Sequence, residues 1–269
     1  PFNFTRKLSW KLKIMIKSFV SFLLKNLPRT FLQRVSRPFF YIISFFYRGD
    51  KVTCPVCDSS FSSFFPYGRQ VRENALCTKC LSLERHRLLY IFLRDIKKTI
   101  NKNVKVLHIA PEICLIKKFE QIKNFEYITA DLDSPLADIK MDIHNMPFND
   151  NDFDIVICNH VLEHVEDDII ALKEIRRILK KNGYGIVMIP FYYPIPEITL
   201  EDSTITKPAE REKIFGQSDH VRKYGKDFKK RFELSGMKIE VIRPDKILSS
   251  SNLSNYGIKN SDLIISVMK

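Results

Sequence analysis

The sequence predicts an α/β fold: a Rossmann-like, doubly wound sheet preceded by a small cysteine-bearing ribbon and a basic amphipathic helical arm. Three observations predict it. From residue 104 onward, apolar runs of strand length alternate with stretches of helical periodicity. Ahead of them stand two Cys-x-x-Cys pairs, and ahead of those, bulky apolar residues interleave with lysine and arginine. These shifts divide the chain into an arm at 1–50, a ribbon with its linking helix at 51–100, and a sheet domain at 101–269.

With 45% hydrophobic and 12% aromatic residues, the 269-residue chain can bury a substantial core, which excludes global disorder. The formal charge of +13 suggests a nucleic-acid footprint until it is located. Residues 1–51 hold eleven Lys/Arg and one acid, Asp50, so +10 lies in the arm and only +3 in the rest. The longest apolar run, Pro38–Tyr47, has ten residues and is too short to span a bilayer. Lysines interrupt the N-terminal apolar stretch and no small-residue cleavage site follows it, so a cytoplasmic location is expected.

In the arm, "RKLSWKLKIMIKSFVSFLLKNLP" puts Lys7, Lys11, Ser18, Ser21 and Lys25 on one side of a helix. Leu8, Leu12, Ile16, Phe19 and Leu23 fall on another. Cations opposite a Trp-containing apolar face suit a helix lying in an anionic membrane interface. Pro28 ends this helix, and "RPFFYIISFFYRG" is a second burst suited to the same interface. Packing on the chain's own domain or on a second subunit is the alternative. Nucleic acid ranks third, because aliphatic residues outnumber plausible phosphate or stacking contacts.

Cys54, Cys57, Cys77 and Cys80 form C-x2-C-x19-C-x2-C, two thiolate turns joined by a short hairpin with a reversal near Tyr67-Gly68. This spacing predicts a closed, tetrahedral, structural zinc site. Cys114 and Cys158 fall in core segments and read as small buried hydrophobes. Next, Ser82 can cap a helix whose Leu88, Leu89, Phe92, Leu93 and Ile96 form an apolar stripe. Arg85 and Arg87, in its first turn, could reach an anion or pack on the ribbon.

In the sheet domain, "VKVLHIA", "FEYITADLD", "FDIVICNHV" and "YGIVMIP" read as strands, with "EICLIKKFEQI" a helix between the first two. "EDDIIALKEIRRILKKNG" predicts an amphipathic helix stopped by Gly183, and "KDFKKRFELSG" one capped by Gly236. The strands "MKIEVIRP" and "DLIISVM" follow with no helix evident between them, suggesting an antiparallel edge hairpin. In such sheets ligands bind beyond the carboxyl ends of the strands. Asp131 ends the second strand, where a carboxylate can accept both hydroxyls of a ribose. Asp142 with Ile143 suits the amino group and ring face of an adenine. A loop cap or solvated charge is the bland fate of any one of these acids; their recurrence at successive strand ends is what points to a nucleoside.

The stretch "DIHNMPFNDNDFDIVICNHVLEHVEDDIIALKEIRRILKKNGYGIVMIP" resembles the class I S-adenosylmethionine-dependent methyltransferases, across residues 104–190. The resemblance implies a seven-stranded sheet, S-adenosylmethionine as cofactor and a methyl-transfer activity. It implies a cofactor site drawn from His108, Ala110, Glu112, Asp131, Leu132, Asp142, Ile143, Asn159 and His160. The family's usual acid-x-Gly-x-Gly turn is replaced by His108-Ile109-Ala110-Pro111-Glu112, in a chain with no glycine between Gly68 and Gly183. Ala110 is the next smallest residue, Pro111 can start a helix, and Glu112 is expected to face the cofactor's ammonium. "LERHR", "HIAPE" and "FGQSDHVRKYG", with the paired cysteines, resemble a bacterial subgroup associated with surface-polysaccharide genes.

For the acceptor, His220, Asp219 and His160 are the candidate catalytic residues, an Asp–His pair supplying a base. Glu163 and His164 lie beside them. Tyr192, Tyr193, Arg222 and Tyr224 are candidate substrate contacts, Arg222 for a phosphate or carboxylate. The long segment 191–217 lacks periodicity and reads as an acceptor-site lid. The expected function is O-methylation of a sugar or phosphate-bearing group of a cell-surface glycan or lipid-linked saccharide at the cytoplasmic membrane face. The alternatives are an RNA methyltransferase gripping substrate with ribbon and arm, and a non-catalytic scaffold.

Overall fold

The computed structural model describes residues 29–68, 71–97 and 102–269. The expected arm helix over Lys7–Lys25 lies outside the described residues. The described residues form two compact units: residues 29–97 with 244–262, and residues 102–243 with 263–269.

The first unit begins with α1 (Arg29–Phe46) and continues as β1 (Arg48–Cys54), β2 (Ser59–Phe61), β3 (Phe65–Tyr67), β4 (Arg72–Leu76) and α2 (Glu84–Lys97). β1 pairs with β2 and β3 with β4, both antiparallel. A boundary at residue 50 does not hold. Phe40, Ile43 and Tyr47 are buried, Phe40 and Tyr47 stack on Phe65 at 5.4 and 5.7 Å, and the Tyr47 carbonyl accepts from the Ser62 backbone N–H. The second apolar burst is thus half core. Its other half, Tyr41, Ile42, Phe45 and Phe46, is exposed.

Residues 244–262, expected within the sheet domain, belong to this first unit instead. They form a short 3-10 turn (Pro244–Lys246) and a helix, Ser250–Tyr256, which packs against β1. Ser249 caps that helix by accepting from the Asn252 N–H. Gly257 ends it at φ 58°, where a Cβ would lie 2.9 Å from the Phe64 ring, so the position needs glycine twice over. Arg87 locks these pieces together. Its fully buried guanidinium donates to the carbonyls of Tyr256, Gly257, Ala75 and Ser82 and lies 4.1 Å over the Phe64 ring. All three of its nitrogens are engaged by backbone carbonyls, so Arg87 is structural and not an anion contact.

The second unit is one seven-stranded sheet. Its strands are β5 (Val104–Ile109), β6 (Phe125–Asp131), β7 (Ile139–Lys140), β8 (Phe153–Asn159), β9 (Leu179–Met188), β12 (Lys238–Ile242) and β13 (Ile264–Met268). Their order is β12-β13-β9-β8-β5-β6-β7. The five strands from β9 to β7 are parallel, while β13 runs antiparallel to both β9 and β12. β5 and β8 are central and covered on both faces, which is why they read as nearly unbroken apolar runs. The last two strands are indeed antiparallel, but β13 lies inside the sheet and only β12 is an edge. They are joined through the 244–262 segment, not by a hairpin turn.

Around the sheet run α3 (Ile113–Glu120), α4 (Asp168–Ile178), α5 (Pro208–Phe215) and α6 (Phe228–Leu234). α4 does not reach Gly183. It stops at Ile178, because Leu179 already turns extended and pairs with Phe153 on β8. Residues 180–183 bulge out before pairing resumes at Tyr184, and a Cβ on Gly183 would sit 2.9 Å from the Asp154 carbonyl oxygen. The segment 191–217 is also more ordered than its pattern suggests. β10 (Leu200–Glu201) pairs with β11 (Arg222–Lys223), α5 lies between them in the chain, and Asp227 accepts from the Thr199 N–H and hydroxyl.

Candidate functional site

The sheet order reverses between β5, whose chain continues to β6 and β7, and β8 on its other side. Loops leaving β5 and β8 therefore diverge, opening a crevice beyond their carboxyl ends. Both flanking tips carry a non-glycine residue in the left-handed region: Ala110 at φ 52° and His160 at φ 53°. For a residue with a Cβ that conformation costs on the order of 1–2 kcal/mol. The turn keeps the backbone path a glycine would take while holding alanine.

The acid missing from the strand end returns from the next turn. Glu112 Oε2 lies 2.8 Å from His108 Nε2, and Asn159 Nδ2 at the tip of β8 approaches Glu112 Oε1 at 3.4 Å. On its other side, His108 Nδ1 is 2.7 Å from the Tyr127 hydroxyl. Burial, then the negative charge of Glu112, pushes the Tyr127 hydroxyl well above its usual range. It stays protonated and donates to Nδ1, which leaves the second ring proton on Nε2, in close polar contact with the Glu112 carboxylate but not aligned as a hydrogen bond. A carboxylate is thus delivered beside strand β5 by residue 112 and fixed by residues of three strands. His108 is fully buried and acts through Glu112.

Asp131, the last residue of β6, accepts the N–H groups of Asp133 and Ser134 on Oδ1. Its other oxygen is uncommitted among the described residues. Leu132 beside it is 57% exposed, an apolar side chain presented at the strand tip. The Met141 N–H donates to the Asp131 carbonyl, which sets Asp142 next to this tip. Asp142 Oδ1 accepts from the backbone and ring of His144, which hold its carboxyl below the usual range. Ile143 is buried in the core. The predicted set His108, Ala110, Glu112, Asp131, Leu132, Asp142, Asn159 and His160 therefore gathers at the strand tips, with Ile143 beneath them.

The acceptor candidates divide differently. Arg222 is fully buried, its donors taken by the carbonyls of Leu162, Val165 and Glu166 and by Glu201. Tyr224, also buried, donates to Asp168 at 2.8 Å. Neither is available to a substrate: both tie the 191–227 segment to the start of α4. The Asp219–His220 pair is likewise replaced. His164 Nδ1 donates to the Asp219 carbonyl at 3.2 Å, with the Asp219 carboxylate 3.7 Å away, so Asp219 serves His164. His220 is buried, its ring edge-on to His164 and Tyr192, and burial pushes its pKa down. Tyr192 accepts from Gln217 Nε2, whereas Tyr193 is 70% exposed.

His160 Nδ1 bonds the buried Glu163 carboxylate at 3.1 Å. Burial works to raise the Glu163 pKa, but His160 and His164 outweigh it and hold the group below its usual range. No local pattern signals the cluster of Glu112, His108 and Tyr127; only the four-residue spacing of His108 and Glu112 hints at it.

In the other unit, Cys54 and Cys80 sulfurs are 3.6 Å apart and those of Cys57 and Cys77 3.7 Å, all four within 4.8 Å. Zinc–sulfur bonds of about 2.3 Å in a tetrahedron space the sulfurs about 3.8 Å apart. The cluster fits a zinc ion. Ser82 Oγ, 3.2 Å from the Cys54 and Cys80 sulfurs, supplies the outer hydrogen bond such ligands ordinarily have. Cys158 is fully buried and burial raises its thiol pKa; Cys114 is partly buried.

Residues 92–187 match the family model for the methyltransferase domain. Over that stretch the chain carries a methyltransferase domain. A protein of Methanocaldococcus jannaschii is 36% identical over 102 residues, 28% of this chain and 45% of that protein. The demethylmenaquinone methyltransferase of Staphylococcus carnosus is 38% identical over 50 residues, 19% of this chain and 21% of the enzyme. This chain spans less than half the length of these curated relatives. Among solved structures, the YcgJ protein of Bacillus subtilis aligns with 66% of this chain and 97% of its own, at 16% identity and a TM-score of 0.42. Within the methyltransferase domain the matched residues include both strand tips that flank the crevice, β5 and β8.

Proposed function

We propose that this methyltransferase domain moves a methyl group from S-adenosylmethionine to an oxygen of a sugar or phosphate-bearing group on a cell-surface glycan or lipid-linked saccharide. The observation that carries cofactor use is the set of carboxylates at successive strand tips: Glu112 after β5, Asp131 at the end of β6, Asp142 after β7. When bound, the cofactor supplies a methyl group on a sulfonium, open to in-line displacement. Asp131, with one oxygen uncommitted, would take the ribose hydroxyls. The exposed Leu132 and the Asp142–Ile143 pair would flank the adenine. Glu112, oriented by His108 and Asn159, would face the ammonium. Asp131→Ala is expected to weaken S-adenosylmethionine binding at least tenfold by calorimetry. No binding by the zinc-loaded wild-type chain would leave a scaffold.

The saccharide acceptor and a membrane setting rest on the greasy, basic arm and on the body's small net charge of +3. Tyr41, Ile42, Phe45 and Phe46 form an exposed apolar face on α1, while no described helix is long and apolar enough to cross a membrane. That combination favours a surface-lying helix. Because Phe40, Ile43 and Tyr47 are core, the test spares them. Deleting residues 1–28 together with replacing the four exposed residues by serine is expected to abolish co-sedimentation with anionic vesicles while cofactor binding persists. Unchanged sedimentation would refute the membrane setting, and salt-sensitive retention of RNA would favour the nucleic-acid alternative. The four cysteines of the ribbon would hold zinc as a structural ion, with no position open to substrate.

A further inference from the structure

One cluster beside the crevice is not accounted for by cofactor binding. Glu163 and His164 follow β8, and His220 precedes β11; each offers a ligand atom, and these atoms all lie within 4.8 Å of one another. Two buried polar atoms there have no hydrogen-bond partner among the described residues, Glu163 Oε2 and His220 Nδ1. Both residues are about 1% exposed, so water does not freely satisfy them. An unpaired buried carboxylate oxygen and an unpaired buried imidazole nitrogen in one cluster are unfavourable unless something satisfies them.

We propose that Glu163, His164 and His220 form a divalent-metal site, separate from the cysteine cluster, that holds the acceptor's oxygen beside the cofactor crevice. The hydrogen bonds already prepare the ligands. His164 Nδ1–H donates to the Asp219 carbonyl, which fixes Nε2 as the nitrogen with a free lone pair. Glu163 Oε1 receives the His160 Nδ1 contact at 3.1 Å, leaving Oε2 toward the ion. Metal–ligand bonds of about 2.0–2.2 Å place neighbouring donors about 3–3.5 Å apart. His164 Nε2 is now 4.0 Å from Glu163 Oε1. A shift of the His164 side chain, 36% exposed, would close that gap.

Two imidazoles and one carboxylate leave coordination positions open, the arrangement of a reactive rather than a closed site. The chemistry suits Mn2+, Fe2+, Co2+ or Zn2+. Such an ion would orient a hydroxyl and make its proton easier to lose to solvent. It therefore selects an oxygen acceptor, which rests on the O-methylation reading above. Metal binding itself does not, and is measured without cofactor or acceptor.

The full-length, zinc-loaded chain is titrated with Mn2+, and free ion is counted by electron paramagnetic resonance. Mn2+ does not displace zinc from four thiolates, so the count reports the second site. The expected result is one Mn2+ per chain, with Glu163→Gln and His164→Ala each weakening it at least tenfold. His164 is partly exposed and Glu163→Gln keeps the side-chain volume, and retained S-adenosylmethionine binding shows that each variant is folded. Co2+ at the same site is expected to give d–d absorption without thiolate charge-transfer bands. No uptake of either ion up to about 1 mM, or uptake unchanged in both variants, would overturn the proposal. Loss of cofactor binding with metal uptake intact would instead strike the methyl-transfer reading alone.

Discussion

Cys77→Ser is expected to release zinc and unfold the first unit. Cys54 and Cys77 are fully buried, and their sulfurs lie 3.6 and 3.7 Å from those of Cys80 and Cys57. Without a cation, four thiols at that spacing crowd one another and pair poorly with anything else. Structural zinc contributes roughly 10–16 kcal/mol in small zinc modules, comparable to the whole stability of a typical domain. The strands beside the cysteine cluster are short: β2 and β3 have three residues each. The measurements are zinc content by mass spectrometry and protease resistance of residues 29–97. A variant that loses zinc yet stays protease-resistant would show that Arg87 and the apolar contacts suffice.

Asp168→Ala should cost about 3–5 kcal/mol of stability in the sheet unit. Asp168 is fully buried and accepts from Tyr224 at 2.8 Å and from Arg231 Nε at 2.7 Å, with Arg222 Nε 3.8 Å away. Arg222 is itself fully buried and Arg231 largely so. Removing the carboxylate leaves a buried phenol unpaired and withdraws the counter-charge from both guanidiniums, with only Glu201 remaining. The second arginine is what makes the cost large. Urea unfolding followed at the sheet would check it, and a loss below about 1 kcal/mol would show that Glu201 alone balances the pair. Asp168→Asn is expected to recover part of the loss, because it still accepts from Tyr224 but carries no charge.

The same network shows where sequence reading stops. "FGQSDHVRKYG" presents Arg222 and Tyr224 as a cation and a hydroxyl two residues apart, which looks like an acceptor site. Folding brings Asp168 and Glu201 to them, from 54 and 21 residues before Arg222. No local pattern records that a distant carboxylate will claim a side chain. Asp219 and His220 adjoin in sequence, yet the chain direction turns Asp219 toward His164. The Gly183 error has another origin. Glycine after a helical repeat ordinarily marks its end, but here it relieves a close approach to the Asp154 carbonyl inside a strand.

What the sequence alone determined was whatever depends on period and spacing. Alternating apolar runs are enough to specify buried parallel strands, since only a covered sheet tolerates them. Paired cysteines with two residues between them are enough to specify a thiolate cluster, since the turn geometry is local. Acids at strand ends were legible because a strand's direction sets which end they occupy. Tertiary structure alone decided which charged groups stayed available and which were consumed. It spent Arg87 on four carbonyls and Arg222 on three carbonyls and Glu201. It moved residues 244–262 into the first unit and left two buried atoms, Glu163 Oε2 and His220 Nδ1, without a hydrogen-bond partner among the described residues. The reason is that burial of a charge depends on neighbours tens of residues away, and desolvation is decided only when those neighbours arrive.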